Sequence, residues 1–133
     1  MTKALMAIKP EYVAKILSGE KCFEYRKTKC KEPISHIIIY ETRPIQKIVA
    51  EVEVLRVLED TPERIWRNTS MKSGIDQSFF DQYFLNKHLA VAYQLGKITV
   101  FNPPRTLMEF GVSRPPQSYT YIEEEMGNRF ATY

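Results

Sequence analysis

The chain has 133 residues, 44% of them apolar and 26% charged, with a formal net charge of +3. That length suits one domain with a core of its own, so neither a disulfide nor a metal is needed to hold it together. The mild positive charge admits an anionic partner without requiring one. Two cysteines, Cys22 and Cys30, with no CxxC pair and no Cys/His cluster argue against a structural zinc site, and no metal or cofactor is expected. No stretch approaches the roughly 20 apolar residues of a spanning helix, and the N-terminus lacks the apolar run of a signal peptide. The expectation is a cytoplasmic protein with reduced thiols and no membrane partner. Its oligomeric state is left open.

Lys3 to Ile8 reads as a first strand. Pro10 stands where a first helical turn tolerates proline, Tyr12, Val13, Ile16 and Leu17 recur at helical spacing, and Gly19 fits a C-terminal cap, which predicts a helix over 10–18. Cys22 to Lys27 alternates, sending Phe23 and Tyr25 one way and Cys22, Glu24 and Arg26 the other. A polar connection to Pro33 follows. His36 to Tyr40 is a short β-branched run that reads as a buried strand. Arg43-Pro44 marks a break, and Ile48 to Leu58 alternates as a long strand with a bend.

Asp60-Thr61-Pro62-Glu63 is a helix start leading through Trp66. Ser70 to Gln77 reads as a loop. Ser78 to Leu85 carries an aromatic helical face, with Phe79, Phe80, Tyr83, Phe84 and the nearby Trp66 assigned to the core. Leu89 to Tyr93 is a strand that Gly96 interrupts, Ile98 to Phe101 resumes it, and Asn102-Pro103-Pro104 ends it. Thr106 to Phe110 suggests a helical turn, and Ser118 to Ile122 a last strand. About six strands and three or four short helices result, without the long strand–helix alternation of a doubly wound parallel sheet. The fold class is α+β. A small mixed β-barrel with short helices packed at its ends fits the order of elements. One domain over 1–122 is expected, with a polar tail over 123–133.

The residues Gly19-x-Lys21-x-x-Glu24-x-Arg26, set between a helix and a strand, resemble the GxKxxExR signature of the ASCH (activating signal cointegrator homology) domain family. Tyr40-Glu41-Thr42-Arg43-Pro44 before Ile48-Val49, Tyr83-Phe84 before Ala90 to Leu95, and Pro115-Pro116-Gln117-Ser118-Tyr119 resemble further parts of that family, so the likeness spans about residues 3–122. It implies a PUA-like β-barrel with a cleft beside the motif and a role in binding RNA or modified nucleosides. Some relatives of similar fold are enzymes, an amidohydrolase acting on acetylated cytidine and a ribonuclease. This chain departs from the amidohydrolase branch in one place. That branch has Thr three residues after the motif lysine, and here the position is Glu24.

The candidate ligand-binding residues are Lys9, Lys21, Glu24, Arg26, Tyr40, Thr42, Lys47 and Ser118. Lys21 is either a solvated lysine after a helix cap or a cleft cation able to hold phosphate or, once desolvated, to act as a nucleophile or base. Glu24 and Arg26 leave one face of a strand. They form either a structural ion pair closing the barrel or an acceptor for a base amino group beside a phosphate contact. Tyr40, Thr42 and Lys47 offer a ring, a hydroxyl and an amine to a nucleobase. Lys9 adds charge at a helix N-terminus that favours anions. Ser118 follows two stiffening prolines.

Three functions stay open. The first is a module that binds RNA or a modified nucleoside. The second is a hydrolase of RNA or of an acetylated nucleoside, with Lys21 and Glu24 catalytic. The third is an interaction domain that regulates transcription.

Overall fold

The computed structural model describes residues 2–123. β1 (Thr2–Ile8) leads into α1 (Pro10–Ser18). Pro10 opens the helix, where its missing N–H has no intrahelical partner to lose. Gly19 closes it at φ 89°, its N–H donating to the Ile16 carbonyl at 3.2 Å. The left-handed conformation at that cap favours glycine. The chain continues through β2 (Phe23–Arg26), β3 (His36–Glu41), β4 (Lys47–Asp60), α2 (Pro62–Thr69), α3 (Gln77–Tyr83), β5 (Ala90–Arg105) and β6 (Tyr119–Glu123). Thr61 caps α2 by accepting from the Arg64 N–H. Glu123 ends β6, and the rest of the stretch expected as a polar tail over 123–133 lies outside the described residues.

Two local expectations change. The loop over 70–77 contains a 3-10 turn at Ser70–Lys72. β5 runs unbroken through Gly96 and the two prolines. Gly96 lets β4 come close: a Cβ there would lie 2.6 Å from Glu53 Oε1 and 2.8 Å from Leu55 Cδ2. The prolines fall inside a register irregularity, between the pairs Ala50–Val100 and Ile48–Arg105, where a missing N–H breaks no ladder bond.

The six strands form one mixed sheet in the order β2-β5-β4-β3-β1-β6. β1 and β3 are parallel and the other neighbours antiparallel. The α+β class holds, but the barrel does not close: among the described residues no ladder joins β2 to β6. The sheet curls until its two edges meet through side chains instead. Arg26 on β2 donates to the carbonyls of Ala7 on β1 and Ser118 before β6, both at 3.3 Å. The loop after β2 donates its Cys30, Lys31 and Glu32 N–H groups to the hydroxyls of Tyr93, Tyr119 and Tyr121 at 2.9, 3.5 and 2.9 Å. β2 has only four residues, so the edge it offers is short.

Strand alternation sorts the apolar residues into clusters. Met6, Ile8, Ile37, Ile39, Val52, Val91 and Tyr93 pack against Val13 and Ile16 of α1, so the helix fills the hollow of the curled sheet. Phe23, Tyr25, Ala90 and Ala92 face the other way, onto Ile65 of α2 and Phe80 and Phe84 around α3. A third cluster joins Leu5, Ile38, Tyr40, Ile48 and Ile122.

Candidate functional site

β2 divides its side chains between two of these environments. Phe23 and Tyr25 enter the aromatic cluster, while Glu24 and Arg26 pair in register with Tyr93 and Val91, on the side that α1 covers. An ion pair therefore stands in the hollow of the sheet. Arg26 Nε and Nη2 both reach Glu24 Oε2 at 3.0 Å. Glu24 is 8% exposed. Its other oxygen, Oε1, accepts no hydrogen bond among the described residues and remains available to the cavity that Glu24 lines. Held in a fork by a guanidinium, such a carboxylate is an acceptor of fixed direction.

Lys21 is buried more deeply, at 4% exposure. Its stem is covered by the segment Lys72–Ile75. Lys21 Nζ donates to the Ser73 carbonyl at 3.1 Å, the Cys22 N–H to the Lys72 carbonyl at 2.8 Å and Lys15 Nζ to the Gly74 carbonyl at 2.9 Å. Gly74 makes this approach possible. Its φ is +70°, and a Cβ there would lie 2.5 Å from Lys21 Cβ. The ammonium sits 4.7 Å from the centre of the Tyr25 ring and 5.7 Å from that of Tyr12. Among the described residues one of its three N–H groups has a protein acceptor, and the rings meet the charge through their π faces. Burial lowers the Lys21 pKa. Glu24 opposes this, and the charges of Lys15 and Arg26 lower it further.

These groups open into a cavity of 220 Å³. Its aromatic wall comes from Tyr12 of α1 and from Phe79 and Tyr83 of α3. The Phe79 and Tyr83 rings lie nearly parallel, 8° apart with centroids 6.5 Å apart, and Phe79 is 43% exposed. Lys27 stands 4.6 Å from the Tyr83 ring centre. The hydroxyls of Tyr12 and Tyr83 carry raised pKa values, chiefly from burial and also from the Glu24 charge. Tyr25 is held by its 2.7 Å hydrogen bond to Thr69, whose hydroxyl donates in turn to the Ile65 carbonyl, and burial pushes its pKa up to about 12. The cavity thus offers planar apolar walls, one aimed carboxylate oxygen and a half-satisfied ammonium.

Of the residues singled out from sequence, Lys9, Lys21, Glu24 and Arg26 line this cavity. Ser118 is exposed, and among the described residues it meets the site through its carbonyl, which accepts from Arg26. Tyr40, Thr42 and Lys47 are not lining residues. Tyr40 shares the face of Ile38 and is buried in the third cluster, because β3 alternates it away from Ile37 and Ile39. Thr42 is half-buried beyond the end of β3, its N–H donating to the Ile8 carbonyl at 3.0 Å. Lys47 is exposed, paired in register with Glu41.

Sequence reasoning missed Tyr12, Phe79 and Tyr83 as site residues and the Lys72–Ile75 segment as the support of Lys21. The signal for the rings was their spacing. Residues 79 and 83 form one helical stripe and 80 and 84 the next. Phe79 is on the cavity side, while Tyr83, as expected of a core residue, packs against the aromatic cluster and lines the cavity as well.

The chain shares 22% identity over 120 residues with the ATP synthase subunit alpha of Ureaplasma parvum, covering 90% of this chain and 15% of that one. With the large ribosomal subunit protein uL22 of the same organism it shares 27% over 104 residues, 78% of this chain and 33% of that one. It therefore spans a third or less of these relatives. An ASCH domain-containing ribonuclease of Zymomonas mobilis is 24% identical over 127 residues, covering 92% of this chain and 86% of the relative. The crystal structure of ASCH from Zymomonas mobilis superposes with a TM-score of 0.87 at 22% identity, over 98% of this chain and 94% of that one. A family model, the ASCH domain, matches residues 6–99, from β1 into β5 and across the whole GxKxxExR segment, and the chain belongs to the ASCH domain family.

Proposed function

We propose that this chain binds RNA or a modified nucleoside, seating one base in the cavity between Tyr12, Phe79 and Tyr83. The observation that carries this reading is the pair of buried charges left half-satisfied at one opening. A buried charge without its full set of partners is costly unless a ligand completes it. Glu24 Oε1 accepts from a donor on the base edge and Lys21 donates to an acceptor beside it, while the rings supply stacking. Lys9, Arg26 and the exposed Lys27 place positive charge at the same opening for the phosphate backbone. The family, with a relative named a ribonuclease, agrees with a ligand of this class.

The test is fluorescence anisotropy with short single-stranded RNAs and competing nucleosides at two salt concentrations. Binding should weaken as salt rises, and Lys21→Met or Glu24→Gln should each lower affinity about tenfold or more, the equivalent of some 1.4 kcal/mol. An absence of binding at low salt, or binding untouched by both substitutions, would overturn the proposal.

A second reading has one specific observation behind it, the lowered pKa of Lys21 beside a carboxylate. In that reading the same cavity hydrolyses its ligand, with Lys21 serving as the amine. Arginine keeps the charge and cannot act as a neutral amine. Lys21→Arg that binds but does not turn over RNA or an acetylated nucleoside supports the enzyme, and turnover that survives the change removes Lys21 from the mechanism.

A further inference from the structure

Lys21 is held from a distant part of the chain, and the holding has a pattern. Three successive carbonyls, those of Lys72, Ser73 and Gly74, accept hydrogen bonds from Cys22 N–H, Lys21 Nζ and Lys15 Nζ. Ile75, the next residue, is part of the cavity wall. The segment is thus both the cover of the Lys21 stem and one side of the cavity. Within the segment, Ser73 is 2% exposed and its hydroxyl donates to the Ile75 carbonyl at 3.0 Å, while Ile75 packs against the aromatic cluster. The segment's hydrogen bonds to the α1–β2 corner are the three just named. Ser70, Met71 and Lys72 make a single 3-10 turn, and Met71 is 95% exposed. Of the three fastenings, only the one from Lys15 is made by a side chain outside the GxKxxExR segment, reaching from the last turn of α1. The Lys15 backbone joins the same arrangement, its carbonyl accepting from the Lys21 N–H at 3.0 Å.

We propose that Lys72–Ile75 is a strap that holds Lys21 in the cavity wall and that Lys15 is the positioning residue that fastens it. The inference rests on the cavity being the ligand site, but its test needs no ligand. Lys15 acts in two ways that point in one direction. Its hydrogen bond to Gly74 keeps the strap down and water off the Lys21 stem, and its charge repels that of Lys21; both disfavour the ammonium form. The other groups facing Lys21 are Glu24, which favours the ammonium, and Arg26, which disfavours it, both from β2. The rings of Tyr12 and Tyr25 complete its surroundings, and the strap itself presents only the Ser73 carbonyl. Lys15 touches no part of the cavity opening, so it is a positioning residue and not a catalytic one.

The measurement is an NMR titration of protein labelled with 13C at the lysine side chains, with Lys21 assigned from the signal that Lys21→Arg removes. In the unaltered chain Lys21 should titrate below the other lysines. In Lys15→Met, which loses both the bond and the charge, its midpoint should move up towards theirs. Lys15→Gln, which can still donate to the Gly74 carbonyl, should move it less, and Lys15→Arg, which keeps donor and charge, should leave it in place. Gly74→Ala should shift it upward with Lys15 intact, because the added Cβ pushes the strap off Lys21. A Lys21 midpoint that stays put in folded Lys15→Met, or that moves as far in Lys15→Arg as in Lys15→Met, overturns the proposal. RNA binding that fails while the titration behaves as stated removes the ligand reading and leaves the strap standing.

Discussion

At the β2 corner, Lys21 and Glu24 are 4% and 8% exposed, and each has bonding capacity turned to a cavity. At the β3–β4 turn, Thr42, Arg43 and Lys47 carry polar groups of the same kinds, yet they stand half-buried or exposed. The same chemistry differs in consequence because water surrounds the second set and meets the first only through the opening of the cavity. Composition is therefore a poor guide to which polar residues form a site. The guide is whether the fold has taken their water away without replacing all of it. The turn region behaves as a solvated surface, and its one buried member, Tyr40, is part of a hydrophobic cluster.

The comparison breaks most readily at Arg26. Arg26→Ala leaves the Glu24 carboxylate buried without its cation and removes the donor to Ala7 and Ser118 that joins the two sheet edges. Loss of one partner from a buried ion pair costs about 3–5 kcal/mol, so the urea midpoint should fall steeply. Lys47→Ala, at the exposed end, should change stability by no more than about 0.5 kcal/mol. A loss of similar size in both variants would mean that the corner is no more deeply committed than the turn.

A second contrast lies within α3. Phe80 is 1% exposed and meets Tyr25, Trp66 and Phe84 at centroid distances of 5.1, 4.9 and 4.7 Å, whereas Phe79 is 43% exposed at the cavity wall. Phe79→Ala should spare most of the stability and weaken RNA binding by about 1–3 kcal/mol, the usual worth of a base stacked on an aromatic ring. Anisotropy titrations check this beside a thermal melt. A variant that binds as well as the parent, or that unfolds as Phe80→Ala does, would return Phe79 to the core.

What could be read in the sequence was what depends on near neighbours. The alternation of β2 put Glu24 and Arg26 on one face, Gly19 marked the end of α1, and Pro62 after Thr61 marked the start of α2. The Lys21 environment was not legible in this way. Its hydrogen-bond acceptor lies 52 residues away, and Arg26 meets Ser118 across 92. Nothing local announces that Gly74 must be glycine because Lys21 passes beneath it. The open sheet was hidden for a similar reason. Counting strands gives the material for a barrel, but the edges meet through side chains whose partners are far away in the chain, as Arg26 meets Ala7 and Ser118. The aromatic residues of α3 were legible as a helix face, but choosing between two adjacent stripes required knowing what each one faced.

The smallest expected effect tests how firmly the floor of the corner is set. Tyr25 places its ring beneath the Lys21 ammonium and its hydroxyl on Thr69 at 2.7 Å, so the ring is held at its face and at its tip. Tyr25→Phe keeps the ring and deletes the hydroxyl. Thr69 still donates to the Ile65 carbonyl, so one hydrogen bond is lost, and the cost at neutral pH should be about 1 kcal/mol. The pH dependence identifies the source of that loss. The Tyr25 pKa is raised in the fold from 10.0 to about 12, so the unfolded chain releases this proton first. Its stabilising contribution is then fully present below pH 10 and disappears as the pH climbs towards 12. Tyr93, also raised, is present in both proteins and cancels in the difference. Chemical denaturation of the two proteins from pH 8 to 11.5 should show the gap between them narrowing above pH 10 and closing within that range. A gap that stays constant through that range would mean that the Tyr25 hydroxyl ionises as freely in the fold as out of it, and the floor beneath Lys21 would be wet.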